Sequence, residues 1–129
     1  MVKQKLHQVI ISLASNDDQK QHLEAARQQL TLILSDPHFT MEHWTDPVHN
    51  QHPAQYLNQL CEGTTTFSAN LLEEVLKEIE KRLGRTRNED GIIAIDLDLM
   101  LYDEERHHLR DWERNYIKDL LGELETPTE

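Results

Sequence analysis

Apolar and polar positions alternate along this chain with periods that change from segment to segment. Val9-Ile10-Ile11-Ser12-Leu13 is an apolar run of strand length that ends at Ala14-Ser15-Asn16. Leu23, Ala26, Leu30, Ile33 and Leu34 recur at helical spacing, with Asn16 or Asp17 as the expected cap and Asp36-Pro37 as the expected stop. Residues 38–55 show little period; a strand is expected around His38–Trp44, followed by a loop that holds His43, His49 and His52. Tyr56 to Phe67 has the threonines and aromatic residue of a further strand. Leu72, Val75, Leu76, Ile79 and Leu83 form the clearest helical face, with Asn70 and Glu73 at capping-box spacing and Gly84 as terminator. Asn88 to Gly91 is a turn by composition. From Ile92 to Tyr102 the pattern has period two: Ile93, Ile95, Leu97, Leu99 and Leu101 share one face, Asp96 and Asp98 the other. A last helix is expected over Asp111–Leu121, then a frayed tail from Glu123.

The order strand, helix, strand, strand, helix, strand predicts an α+β fold, a ferredoxin-like antiparallel sheet with helices packed on one face. No repeat or linker interrupts it. One domain over residues 1–124 is expected, with residues 125–129 as a C-terminal tail. The 13 basic and 24 acidic residues leave a net charge of −11, which argues against attachment to nucleic acid or an anionic membrane by overall charge. The longest apolar runs fall far short of a bilayer span and no basic-then-apolar leader is present, so a cytoplasmic protein is expected. The single cysteine, Cys61, excludes an internal disulfide framework and a multi-cysteine zinc site, and is expected to pack within a strand.

The cations are unevenly placed. Lys81, Arg82, Arg85, Arg87, Arg106, Arg110, Arg114 and Lys118 lie within one short stretch, either as solvated helix faces or as a site for an anion. Between them stands Asp96-Leu97-Asp98. On a strand these carboxylates project side by side, about 7 Å apart, a spacing that suits Mg²⁺ bridged to phosphate oxygens; the alternative is a pair of acids on a wet edge. Carboxylates for a metal beside arginines for polyphosphate are the parts needed for phosphoryl-type transfer. His108 and Arg114, six residues apart, could face the same strand or be ordinary surface residues.

In order along the chain, these motifs resemble the 6-hydroxymethyl-7,8-dihydropterin pyrophosphokinase family of folate biosynthesis. Val-Ile-Ile-Ser-Leu-Ala-Ser-Asn at residues 9–16 is similar to that family's first strand and Gly-Ser-Asn turn. Tyr56-Leu57-Asn58 is similar to its Tyr/Phe-Leu-Asn segment, and the stretch from Glu78 to Arg87 to its helix end and Gly-Arg-x-Arg run. Ile95 to Tyr102 matches its Ile-Asp-Leu-Asp-Leu-Leu-Leu-Tyr signature, and His108 with Arg114 its His-x5-Arg interval.

The resemblance implies a ferredoxin-like enzyme that moves the pyrophosphate of MgATP onto the hydroxymethyl group of a reduced pterin and releases AMP. Asp96 and Asp98 would bind two Mg²⁺ ions. Arg87, His108 and Arg114 would act on the ATP phosphates as catalytic and binding groups, with Arg85 in the same basic wall. Asn58 would hydrogen-bond the pterin amide edge, flanked by Tyr56 and Tyr116. ATP and pterin would be the partners, with no nucleic acid and no membrane. Asp90-Gly91-Ile92-Ile93-Ala94 stands where the family has Trp-Gly-Pro-Arg-Thr, so an active-site tryptophan and arginine are replaced. The alternative reading is therefore a catalytically impaired relative that binds nucleotide or acts as a regulatory or interaction module.

Overall fold

β1 (His7–Ser15) is the centre of the molecule, hydrogen-bonded along both edges to antiparallel neighbours, β4 (Tyr56–Thr65) and β5 (Asp96–Tyr102). This computed structural model describes residues 5–47, 53–84 and 91–125. The sheet runs β2 (Ser35–Phe39), β4, β1, β5, β6 (Glu105–Arg106), and β3 (His43–Thr45) pairs with the other half of β4. Every pairing is antiparallel. The α+β ferredoxin-like class expected from the pattern is the one observed. No helix among the described residues is long and apolar enough to cross a membrane.

Both faces of the sheet carry a core. On one face, α1 (Gln19–Ile33) and α2 (Ala69–Arg82) bury Leu23, Ala26, Leu30, Leu72, Leu76 and Ile79 against Val9, Ile11, Leu13, Leu97 and Leu99. On the other, α3 (Asn115–Glu125) and Trp112 close a smaller core over Ile10, Leu60 and Met100. The expected packing on one face thus holds for α1 and α2, while α3 covers the opposite side. That double cover explains the unbroken Val9-Ile10-Ile11 run, because a strand buried on both faces loses its alternation. In β5 the alternation fails at Met100: the register against β1 shifts between Ile10 and Ile11, a bulge that leaves both Met100 and Leu101 in the second core.

Several local expectations need correction. α1 begins after Asp18, left-handed at φ 42° and making no capping side-chain bond, rather than after Asn16 or Asp17. Asn16 instead binds the segment before β5: its Nδ2 donates to Gly91 O at 2.9 Å, and its Oδ1 accepts from Ile93 N at 2.6 Å. The stop expected at Asp36-Pro37 lies inside β2, on the sheet edge where a proline costs no ladder bond. The strand expected over His38–Trp44 is two strands. Between them Thr40 keeps one backbone bond to β4, its N–H donating to Leu60 O at 3.0 Å, but its hydroxyl accepts from Leu60 N at 3.0 Å and its carbonyl from Gln59 Nε2 at 2.6 Å. Ser68, not Asn70, caps α2 by accepting from Leu71 N at 3.2 Å. Gly84 terminates α2 at φ 104°, as its position in the sequence predicts. The final segment is a single 3₁₀ turn (Asp111–Glu113), an extended Arg114 and then α3, because Trp112 and Ile117 must reach the same core from successive turns. Glu123 belongs to α3 and accepts from Met41 N at 2.8 Å, so the helix persists beyond the expected onset of fraying.

Candidate functional site

The sheet register assembles the site in two rows. Ala14 pairs with Asn58 on one side and Asp96 on the other; Ser12 pairs with Leu60 and Asp98. Side chains two apart share a face, so Tyr56 and Asn58, the small Ser12 and Ala14, and Asp96 and Asp98 lie on the face covered by α3. Toward Ile10 and Leu60 that face is core; toward Ala14 it is an open cleft. Tyr56, Asn58, Asp96, Asp98, Arg114 and Tyr116 line this cleft, together with Asp46, Ile93 and Asp111. Six of the candidate residues, drawn from three distant segments, therefore meet in one place.

Asn58 is buried, and its Nδ2 donates to His43 O and Thr45 Oγ1, both at 2.9 Å. With Nδ2 facing a carbonyl, the amide can stand only one way round, which leaves Oδ1 as its spare acceptor. Tyr116 stacks on His43 with ring centroids 6.1 Å apart and planes 15° from parallel. Burial pushes the Tyr116 phenol above its usual range, partly offset by the charge and hydrogen bond of Arg114.

Asp98 is the electrostatic focus. Burial, then the neighbouring charge of Asp96, pushes its carboxyl up to about 7; His108 pulls it down, while Glu80 and Asp111 raise it further. His108 Nε2 stands 3.8 Å from Asp98 Oδ1, and Arg114 Nε stands 3.4 Å from Asp111 Oδ1. Ligand atoms of Asp98, His108 and Asp111 all lie within 4.8 Å of one another. Acidic oxygens gathered at this density repel one another until a cation or protons enter, and hard oxygen donors suit Mg²⁺. The carboxylates of Asp98 and Asp111 fit such an ion.

His108 reaches Asp98 from a left-handed backbone at φ 54°, a conformation histidine tolerates better than most side chains. Arg85 and Arg87 lie outside the described residues, as do His49 and His52. Of the other bases in the clustered stretch, Lys81 and Lys118 pair with surface acids at 3.6 and 3.5 Å, and the Arg106 guanidinium sits 4.2 Å from the centre of the Trp112 ring. Sequence reasoning missed Asp111, which sits in a polar run with no period to single it out, and Asp46, masked by its irregular loop. Cys61 is buried in β4 as expected.

The sequence profile described as 7,8-dihydro-6-hydroxymethylpterin-pyrophosphokinase (HPPK) matches residues 10–126. A folate synthesis bifunctional protein of Arabidopsis thaliana is 31% identical over 89% of this chain and 27% of its own length. A mitochondrial folate synthesis bifunctional protein of the same plant is 32% identical over 90% of this chain and 24% of its own length. The 2-amino-4-hydroxy-6-hydroxymethyldihydropteridine pyrophosphokinase of Bacillus subtilis (strain 168) is 35% identical over 62% of this chain. The chain spans about a quarter of the two plant proteins and about half, 53%, of the bacterial one.

Proposed function

The chain belongs to the 7,8-dihydro-6-hydroxymethylpterin pyrophosphokinase family, and on that premise we propose that it transfers pyrophosphate from MgATP to the hydroxymethyl group of 6-hydroxymethyl-7,8-dihydropterin, a step of folate synthesis. The observation that carries this reading is the convergence of paired aspartates, an arginine, two tyrosines and an oriented asparagine on one cleft.

In the proposed reaction the pterin hydroxyl oxygen bonds to the β-phosphorus of ATP and gives up its proton. The bond from the β-phosphorus to the α,β-bridging oxygen breaks, and AMP leaves with that oxygen and its electron pair. Asp96 and Asp98 would hold two Mg²⁺ ions, which when bound neutralise charge on the phosphate oxygens. Arg114 would exchange Asp111 for phosphate, and His108 would exchange Asp98 for phosphate, with Arg85 and Arg87 as further phosphate contacts. Tyr56 and Tyr116 would flank the flat ring, and Asn58 Oδ1 would accept from its amide edge. These groups act by orienting reactants and excluding water rather than by covalent chemistry.

Ile93 lines the cleft at the position where the family has an arginine, which favours a second reading: a nucleotide-binding relative with little turnover. A missing cation at a transferring group costs most in the transition state, so turnover suffers before affinity. Purified protein with MgATP and the reduced hydroxymethylpterin, assayed for AMP by chromatography and for ATP affinity by calorimetry, separates the two. Pterin-dependent AMP release at about 1 s⁻¹ or faster supports the enzyme. ATP binding without AMP supports the relative, and the absence of both ATP binding and AMP release refutes both readings.

A further inference from the structure

Among the described residues, β5 is paired with another strand on one edge only along Asp96–Asp98. There it is bonded to β1, but β6 pairs with it solely at Leu101 and Tyr102. The backbone N–H of Leu97, between the two aspartates, is met from the open edge by a side chain. Glu80, in the last turn of α2, accepts it through Oε2 at 2.8 Å, and both residues are buried. A buried N–H must be satisfied, and here a buried carboxylate satisfies it. What lies on either side of Leu97 gives the carboxylate a use.

We propose that Glu80 is a positioning residue for the acidic pair. The peptide it holds is the one joining Asp96 to Leu97, so its bond fixes ψ of Asp96 and φ of Leu97. Those two torsions set how the Asp96 carboxylate is aimed relative to that of Asp98. With the peptide held, the carboxylates keep one spacing and a cation meets a preformed pair; with it free, the cation must first order them. Partners that orient ligating groups in this way are worth about 10–100-fold in metal affinity. The inference rests on the reading of Asp96 and Asp98 as cation ligands.

Two substitutions separate reach from charge. Glu80→Gln keeps an oxygen at the same distance without the charge; Glu80→Asp keeps the charge but is one methylene too short. The probes are Mn²⁺ affinity by electron paramagnetic resonance and exchange of the Leu97 amide by nuclear magnetic resonance. Expected are a Gln variant within about threefold of the parent with a slow Leu97 amide, and an Asp variant weakened about tenfold or more with a fast one. An Asp variant that binds Mn²⁺ like the parent, or a Gln variant as weak as the Asp variant, overturns the positioning role. Asp96→Asn that leaves Mn²⁺ affinity unchanged would instead overturn the cation reading itself, and this inference with it.

Discussion

Replacing Asp98 by asparagine should make the protein more stable and less able to hold a cation. The carboxyl is raised from 3.8 to about 7, first by burial and then by Asp96. An acid whose folded pKa exceeds its unfolded one binds more protons folded, so its contribution falls as pH rises from about 4 to about 7 and is flat above. At about 1.36 kcal/mol per unit the ceiling is on the order of 4 kcal/mol. The side chain is 30% exposed and pairs with His108, so screening reduces the expected gain to about 1–2 kcal/mol. For a domain of this size that is a rise in Tm of about 3–8 °C. The assay is thermal melting in chelator from pH 4 to pH 8: parent and Asp98→Asn should melt together at pH 4 and separate by pH 7. Adding MgATP should then raise the parent, by about 2.7 kcal/mol at one hundred times Kd, and leave the variant where it was. A variant that melts at or below the parent at pH 8 in chelator would refute the argument.

Arg114→Lys should weaken ATP binding by about 1–3 kcal/mol, because an ammonium cannot reproduce the paired bonds of the guanidinium; calorimetry checks it. Asn58→Asp sets an acceptor against the His43 carbonyl and should cost about 1–3 kcal/mol in urea unfolding, along with pterin affinity read by fluorescence. Burial pushes the Cys61 thiol up to about 12, so iodoacetamide at pH 8 should label unfolded but not native protein, as read by mass spectrometry.

The parts of the fold legible in the sequence were those where one physical pattern acted alone. The apolar face of α2 and the alternation around Asp96 and Asp98 needed only period and burial. β4 is expected from its threonines and aromatic residue, but that pattern does not explain Asn58 and Gln59, which are buried and hydrogen-bonded inside the sheet. Only the partners, Arg27 on α1 and the carbonyls of residues 40 and 43, explain them. The Met100 bulge was hidden for the same reason: a shift of register is a property of two strands. Six of the candidate residues were legible by motif and line one cleft, whereas Asp111 and Glu80 were not. Their roles depend on which strand edge or carboxylate they approach in space.

The central place of β1 has a consequence for the chain as it is made. Ala14 needs Asn58 and Asp96 as neighbours, and these leave the ribosome long after it does. Until β4 emerges, the Val9-Ile10-Ile11 run has no strand on either edge, and until β5 emerges one of its edges stays open. Such a segment is of the kind that sticks to other chains, and distant pairings delay closure because the intervening loop must be ordered first. A nascent chain halted before Asp96 should therefore remain bound to chaperones. The aspartates of the cleft also belong to the strand whose arrival covers the last open edge of β1.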